Sequence, residues 1–218
     1  MTANFVRLLE GLQRRSLRMA SLVEDIVQEA CEAALDTDEQ LARRVINRDH
    51  EVDTEEVEIE AETVRLMALY QPVGSDLRLL CTVLKVNSDL ERVADCAVNI
   101  AERAKHLSDD RMAKQHSIIQ RMAEIVRRML RNAIHAYGVQ NAEAGRRVFP
   151  EDDAVDALYG QIIRSLVAEA SPDPERMAAH LDVLSIAKNL ERIADHATNI
   201  AEDVVFLVSG NIVRHQQT

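Results

Sequence analysis

Glu91, Asp95 and Asn99 stand four residues apart, and so do Glu191, Asp195 and Asn199. On an α-helix, side chains at this spacing lie one above the other on one face, so each set forms a column of oxygen donors. Two further carboxylate pairs share the spacing: Asp49 with Asp53, and Asp152 with Asp156. If columns from neighbouring helices converge, four carboxylates meet on one flank. Such a set suits a hard or borderline cation such as Mg²⁺, Mn²⁺ or Fe, and Asn99 and Asn199 would add a carbonyl ligand each. Like charges at this spacing repel by roughly a few tenths of a kcal/mol on an isolated helix. Each column therefore needs solvent or a positive charge beside it. The competing reading is a solvated acidic face, salt-bridged to Arg92, Arg192, Arg43-Arg44 or Arg146-Arg147, with no metal.

These columns are copies of one another. Leu90-Glu91-Arg92-Val93-Ala94-Asp95-Cys96-Ala97-Val98-Asn99-Ile100-Ala101-Glu102 returns one hundred residues later as Leu190-Glu191-Arg192-Ile193-Ala194-Asp195-His196-Ala197-Thr198-Asn199-Ile200-Ala201-Glu202. A match this long at a fixed offset marks an internal duplication. At an offset of 103, Met19, Leu22, Val23, Ile26 and Val27 match Met122, Ile125, Val126, Met129 and Leu130, and Asp49 and Asp53 match Asp152 and Asp156. Pro72 matches Pro172 at the offset of 100. The three-residue difference falls between Asp156 and Pro172, so the fifth helix or its following turn is about one turn shorter than its counterpart.

The elements that position the columns are long helices. Leu8, Leu12, Met19, Leu22, Val23, Ile26, Val27 and Ala30 follow helical spacings within Phe5 to Leu35. Thr37 with Gln40 has capping-box spacing for a second helix from about Asp38 to Tyr70, whose Val45, Val52, Ile59 and Leu66 recur every seven residues as a bundle seam. Gln71-Pro72-Val73-Gly74 breaks the chain, Ser75 can cap, and a third helix runs from about Asp76 to Leu107. With Leu90 at the centre of its core face and about 100° per residue, Val93, Ala94, Ala97, Val98, Ile100, Ala101 and Ala104 fill an arc of about 160°. Glu91, Asp95 and Asn99 lie just beyond one edge of that arc. Ser108-Asp109-Asp110 ends the first half. The last helix is predicted from Pro174, with Asp173 as its cap, to Val208, stopped by Ser209-Gly210. The fold predicted is all-α: two tandem three-helix up-down bundles, residues 1–108 and 109–218.

Composition narrows the function. The 218 residues are 47% hydrophobic but only 3% aromatic, with no Trp, so the core must be aliphatic. Six Gly and four Pro are too few for a turn-rich β fold. A net charge of −11 argues against binding nucleic acid or an anionic leaflet and suits cations or basic partners. Cys31, Cys81 and Cys96 sit among apolar neighbours without metal-type pairing and read as small buried hydrophobes in a reducing compartment. No signal peptide or membrane-spanning stretch is legible, which makes the cytoplasm the expected location. There is no catalytic triad and no glycine-rich phosphate loop. The seven histidines fall outside the columns; His196 adjoins Asp195, but its counterpart is Cys96, so it reads as an ordinary boundary residue.

Leu41-Ala42-Arg43-Arg44-Val45 before Asp49 and Asp53, Gln71-Pro72 leading into Ser75-Asp76-Leu77-Arg78, and the two Leu-Glu-Arg-(Val/Ile)-Ala-Asp stretches together resemble the PhoU family of bacterial and archaeal phosphate-transport regulators. The likeness runs over nearly the whole chain. It implies two similar three-helix bundles side by side, with a multinuclear metal cluster on each, of iron, zinc, manganese or magnesium. It implies a non-enzymatic adaptor, cytoplasmic and homodimeric. Such a protein restrains phosphate uptake through the ATPase subunit of the phosphate ABC transporter. It also helps a phosphate-sensing histidine kinase to repress the starvation response. Two features depart from the family pattern. Pro150 must either start or kink the helix carrying Asp152 and Asp156, and Ala94 and Ala194 stand where glycine is usual. Two rival readings remain. One is a ferritin-like carboxylate metalloenzyme, which would need Glu-x-x-His on two helices. The other is a metal-free helical scaffold serving another transporter.

Overall fold

In the computed structural model the described residues are 3–106, 115–169 and 173–213. Six long helices and one short one account for nearly all of them: α1 (Ala3–Leu35), α2 (Glu39–Tyr70), α3 (Gly74–Ala104), α4 (His116–Gly138), α5 (Ala142–Arg146), α6 (Phe149–Ala168) and α7 (Pro174–Ser209). No strand occurs among the described residues. The all-α, duplicated architecture expected from the sequence is what is found. Among the same residues no helix is long and apolar enough to cross a membrane. Ser108-Asp109-Asp110, Leu107, Pro172 and His215 lie outside the described residues.

The seams predicted from periodicity are the buried ones. Val45, Val52, Ile59 and Leu66 on α2 are all fully buried, as are their counterparts Val148, Val155 and Ile162. In α1, Leu12, Met19, Val23, Ile26, Val27 and Ala30 are buried while Leu8 and Leu22 pack at the margin of the core. Helices α1, α2 and α3 pack on one another, and α4, α6 and α7 do the same.

What joins the halves is α3 against α7, the most extensive helix contact in the molecule. Lys85 pairs with Asp203 at 3.0 Å, Asp89 with His196 at 2.8 Å and Arg103 with Asp182 at 3.6 Å. As one number of each pair rises the other falls, so the two helices are antiparallel and Val93 is level with Ile193. Each helix is thus covered on two sides. This is why Cys96, outside the predicted arc, is completely buried. The small residues Ala94, Ala97, Ala101, Ala194, Ala197 and Ala201 are buried along these helices. A second tie between the halves is Ser16 on α1 and Tyr137 on α4, whose hydroxyls are 3.1 Å apart in the interior. Burial pushes the Tyr137 phenol up to about 12.

Helix ends show where local chemistry prevailed over the expected caps. Asp38, not Thr37, caps α2, accepting from the backbone N–H of Gln40 and Leu41. Thr37 has a left-handed backbone, φ 50°, in the turn leaving α1, and an Asp in extended conformation after it meets the helix N-terminus directly. Helix α3 starts at Gly74, ahead of Ser75, and Val73 precedes it with no side-chain cap. Its last helical residue is Ala104, short of the predicted Leu107. Asp173 caps α7 as expected, and Gly210, at φ 75°, closes it in the left-handed conformation that glycine adopts without strain.

Candidate metal centres

Pro150 decides how the second cluster is presented. Helix α2 runs through the first Asp pair without a break, but its counterpart is split into α5 and α6 by a turn at Arg147 and Val148. Proline lacks the donor a continuing helix needs and is accommodated in the first turn instead. It therefore starts α6 and leaves Asp152 within that helix's first turn. Short α5 lies against α7. A Cβ on Gly145 would meet the Ala201 carbonyl oxygen at 2.9 Å, so glycine allows this approach.

The predicted residues fall on matching flanks. Asp49, Glu91 and Asn99, and likewise Asp152, Glu191 and Asn199, are half-buried; Asp53, Asp95, Asp156 and Asp195 are exposed. Each position has the same burial as its duplicate, at the edge of the core where the helical projection put it. The columns also feel one another across helices. Burial raises the Asp49 carboxyl above its ordinary value, reinforced by Asp53 on its own helix and Asp95 on α3. Burial raises Glu91 too, with Asp95 and, across the groove, Glu56 and Asp53 adding to it. In the second half Asp152 is pushed up to about 6, chiefly by burial, then by Asp195 and Asp156. Asp156 and Asp195 are raised by burial and then by Glu191.

The arginines near these columns form no ion pair with them among the described residues, although the charge of Arg92 relieves Glu91. Among the described residues Arg92 and Arg192 make no ion pair, Arg43 turns back to Glu39 at 2.6 Å, and Arg146 to Glu143 at 2.5 Å. One cation does reach a column: Lys188 Nζ lies 2.5 Å from Glu191 Oε2. Among the described residues no three His, Cys, Asp or Glu side chains are gathered closely enough to clasp an ion as they stand. The donor set fits a hard cation: oxygen ligands on two facing helices, with seven of the eight carboxylates lacking any ion pair of 4.0 Å or less among the described residues; only Glu191 has one, to Lys188. Asn199 donates through Nδ2 to Asp89 at 3.4 Å, which still leaves its carbonyl oxygen as the atom a cation needs.

One polar pair escaped the sequence. His196 is a boundary residue, as expected, but its Nδ1 meets Asp89 Oδ1 across the α3–α7 crossing. Asp89 stands outside every motif, and its counterpart Asn189 instead donates to Ser185 on its own helix. No periodicity could have matched the two. His180 is also deeper than an ordinary surface histidine, at 9% exposure. Cys31 and Cys96 are buried and Cys81 is half-buried; all are free thiols.

A duplicated antiparallel helical bundle with one carboxylate cluster per half defines a class of all-α proteins in which the site is repeated with the fold. The chain belongs to the PhoU family: the PhoU domain matches residues 16–104 and again residues 119–204. It is 38% identical over 208 residues to the phosphate-specific transport system accessory protein PhoU homolog of Aquifex aeolicus, an overlap covering 95% of this chain and 94% of that protein. The corresponding homolog of Caulobacter vibrioides is 37% identical over 96% of this chain and 91% of its own length. The crystal structure of PhoU from Pseudomonas aeruginosa superposes with a TM-score of 0.91 at 35% identity, over 95% of this chain and 100% of that one. The phosphate transport system regulatory protein PhoU from Streptococcus pneumoniae gives a TM-score of 0.86 at 29% identity, over 96% of this chain and 99% of that one.

Proposed function

We propose that this chain is a non-enzymatic regulator of phosphate transport that holds metal ions on its two carboxylate clusters. The observation that carries the reading is membership of a family whose relatives, over nearly their full length, are named accessory proteins of the phosphate-specific transport system. In this reading it acts from the cytoplasm as a homodimer and restrains phosphate uptake through the ATPase subunit of the phosphate ABC transporter. It also supports a phosphate-sensing histidine kinase in repressing starvation genes. Asp49, Asp53, Glu91, Asp95 and Asn99 would hold ions in the first half, and Asp152, Asp156, Glu191, Asp195 and Asn199 in the second. A bound metal would supply positive charge directly at the carboxylates, and so clamp α2 to α3 and α6 to α7. The helix faces turned away from the ions would meet the partners.

The test joins content to function. Elemental analysis of protein purified without chelator is expected to find Fe, Zn, Mn or Mg, and Glu91→Ala with Asp95→Ala should lower it by roughly half, because one of two like clusters is removed. Cells lacking the protein are expected to take up phosphate faster in rich phosphate and to express starvation genes there, with the wild-type chain restoring repression. Unchanged metal content in the double variant would remove these residues as ligands. Unchanged uptake and expression in the deletion strain would remove the regulatory reading.

A further inference from the structure

The charges beside the two clusters differ: His50 of the first half is replaced by Asp153 in the second, and a further pair of positions differs more sharply. Where the first half has Glu56 and Ser88, the second has Tyr159 and Lys188, at the same offsets of 103 and 100 that relate the halves. Glu56 adds negative charge beside Glu91 and is itself raised by burial and by Glu60 and Asp53. Ser88 is exposed and brings no charge. In the second half the Lys188 ammonium, besides its hydrogen bond to Glu191 at 2.5 Å, stands 5.5 Å from the centre of the Tyr159 ring. The electron-rich face of that ring helps to hold the cation beside Glu191. The start of α6 adds partial positive charge beside Asp152, whereas Asp49 sits well inside α2.

We propose that Lys188 is a built-in counter-ion of the second cluster, so that the halves bind divalent cations with unequal affinity and the first fills before the second. This rests on the metal-binding reading above. A cation entering the second cluster must displace Nζ from Glu191 and draw it off the Tyr159 ring, while among the described residues no cation is paired with a carboxylate of the first cluster. A single positive charge at a half-exposed site of this kind changes divalent affinity by on the order of tenfold.

Calorimetric titration of the metal-stripped full-length protein with Mn²⁺, with native mass spectrometry to count ions, tests it. Wild type is expected to titrate in two steps. Lys188→Ser should strengthen the weaker step by on the order of tenfold and leave the tighter one in place. Ser88→Lys, independent of the first variant's folding, should weaken the tighter step. Glu91→Ala with Asp95→Ala should abolish the tighter step, which assigns it to the first half. A wild type with a single affinity, or two steps that neither lysine variant moves, overturns the role of Lys188 while leaving metal binding intact. No Mn²⁺ bound by wild type or by Lys188→Ser overturns the metal-binding reading, and this proposal with it.

Discussion

At the residue scale the informative group is Asp152, whose carboxyl is pushed up to about 6 by burial and by the acids around it. In an unfolded chain it would titrate near an ordinary aspartate, about 3.9. The folded metal-free protein therefore binds this proton before the unfolded chain does. As pH falls from 7 through 6 towards 4, Asp152 adds stability; as pH rises back through 6, that contribution is lost. Asp152→Asn removes the charge and keeps the shape. After discounting for solvent at a half-exposed group, the variant is expected to be more stable than wild type at pH 7, without metal, by on the order of 1 kcal/mol. The difference should vanish near pH 4. Urea unfolding in chelator at both pH values checks it, and a variant less stable than wild type at pH 7 would contradict the assignment. Saturating divalent metal should reverse the ranking at neutral pH, because a cation stabilises the ionised carboxylate that Asn lacks.

At the element scale the consequential feature is the split of the α2 counterpart into α5 and α6, which seats α5 on α7 through Gly145. Its duplicate, Ala42, is buried on an unbroken helix, so the methyl is tolerated there. At Gly145 the same methyl would meet backbone, the Ala201 carbonyl oxygen, which cannot rotate aside. Gly145→Ala is expected to destabilise by about 1–3 kcal/mol despite its better helix propensity, while Ala42→Gly should cost only about 1 kcal/mol. Thermal unfolding of the two variants compares them, and a stabilised Gly145→Ala would show that α5 can shift freely. Much of this layer was legible beforehand. Seven-residue recurrence picked out Val45, Val52, Ile59 and Leu66, and four-residue spacing put Glu91 and Asp95 at the edge of the core, because both follow from the helix repeat alone. The Asp38 cap was hidden because Thr37 and Asp38 both qualify by type, and only the left-handed backbone at Thr37 separates them. The burial of Cys96, and the pairing of His196 with Asp89, depend on how α7 crosses α3, which no single-helix projection contains.

At the scale of the whole molecule, the duplication places the same helix of each unit at the centre, and α3 and α7 bury each other. Leu90, Val93, Leu190 and Ile193 are buried on these helices, with Val93 and Ile193 level at the crossing. Neither half can lose this contact and keep its core sealed. Lys85 reinforces the coupling, reaching from α3 to nearly buried Asp203 while standing 5.0 Å from the Phe206 ring. Unfolding should therefore be a single event in which both halves open together, as a shared core implies. Ile193→Ala tests this, because it sits in the second half but at the shared seam. Deleting a fully buried isoleucine side chain costs about 2–5 kcal/mol. Hydrogen exchange followed by mass spectrometry is expected to show amides of α1 and α2 losing protection as much as those of α6, since all would exchange through the same global opening. Ile162→Ala, buried on α6 away from the seam, should give the same pattern if the molecule is one cooperative unit. Loss confined to α4, α6 and α7 in either variant would show instead that the halves open separately, with α3 retaining its packing on α1 and α2 after α7 has left.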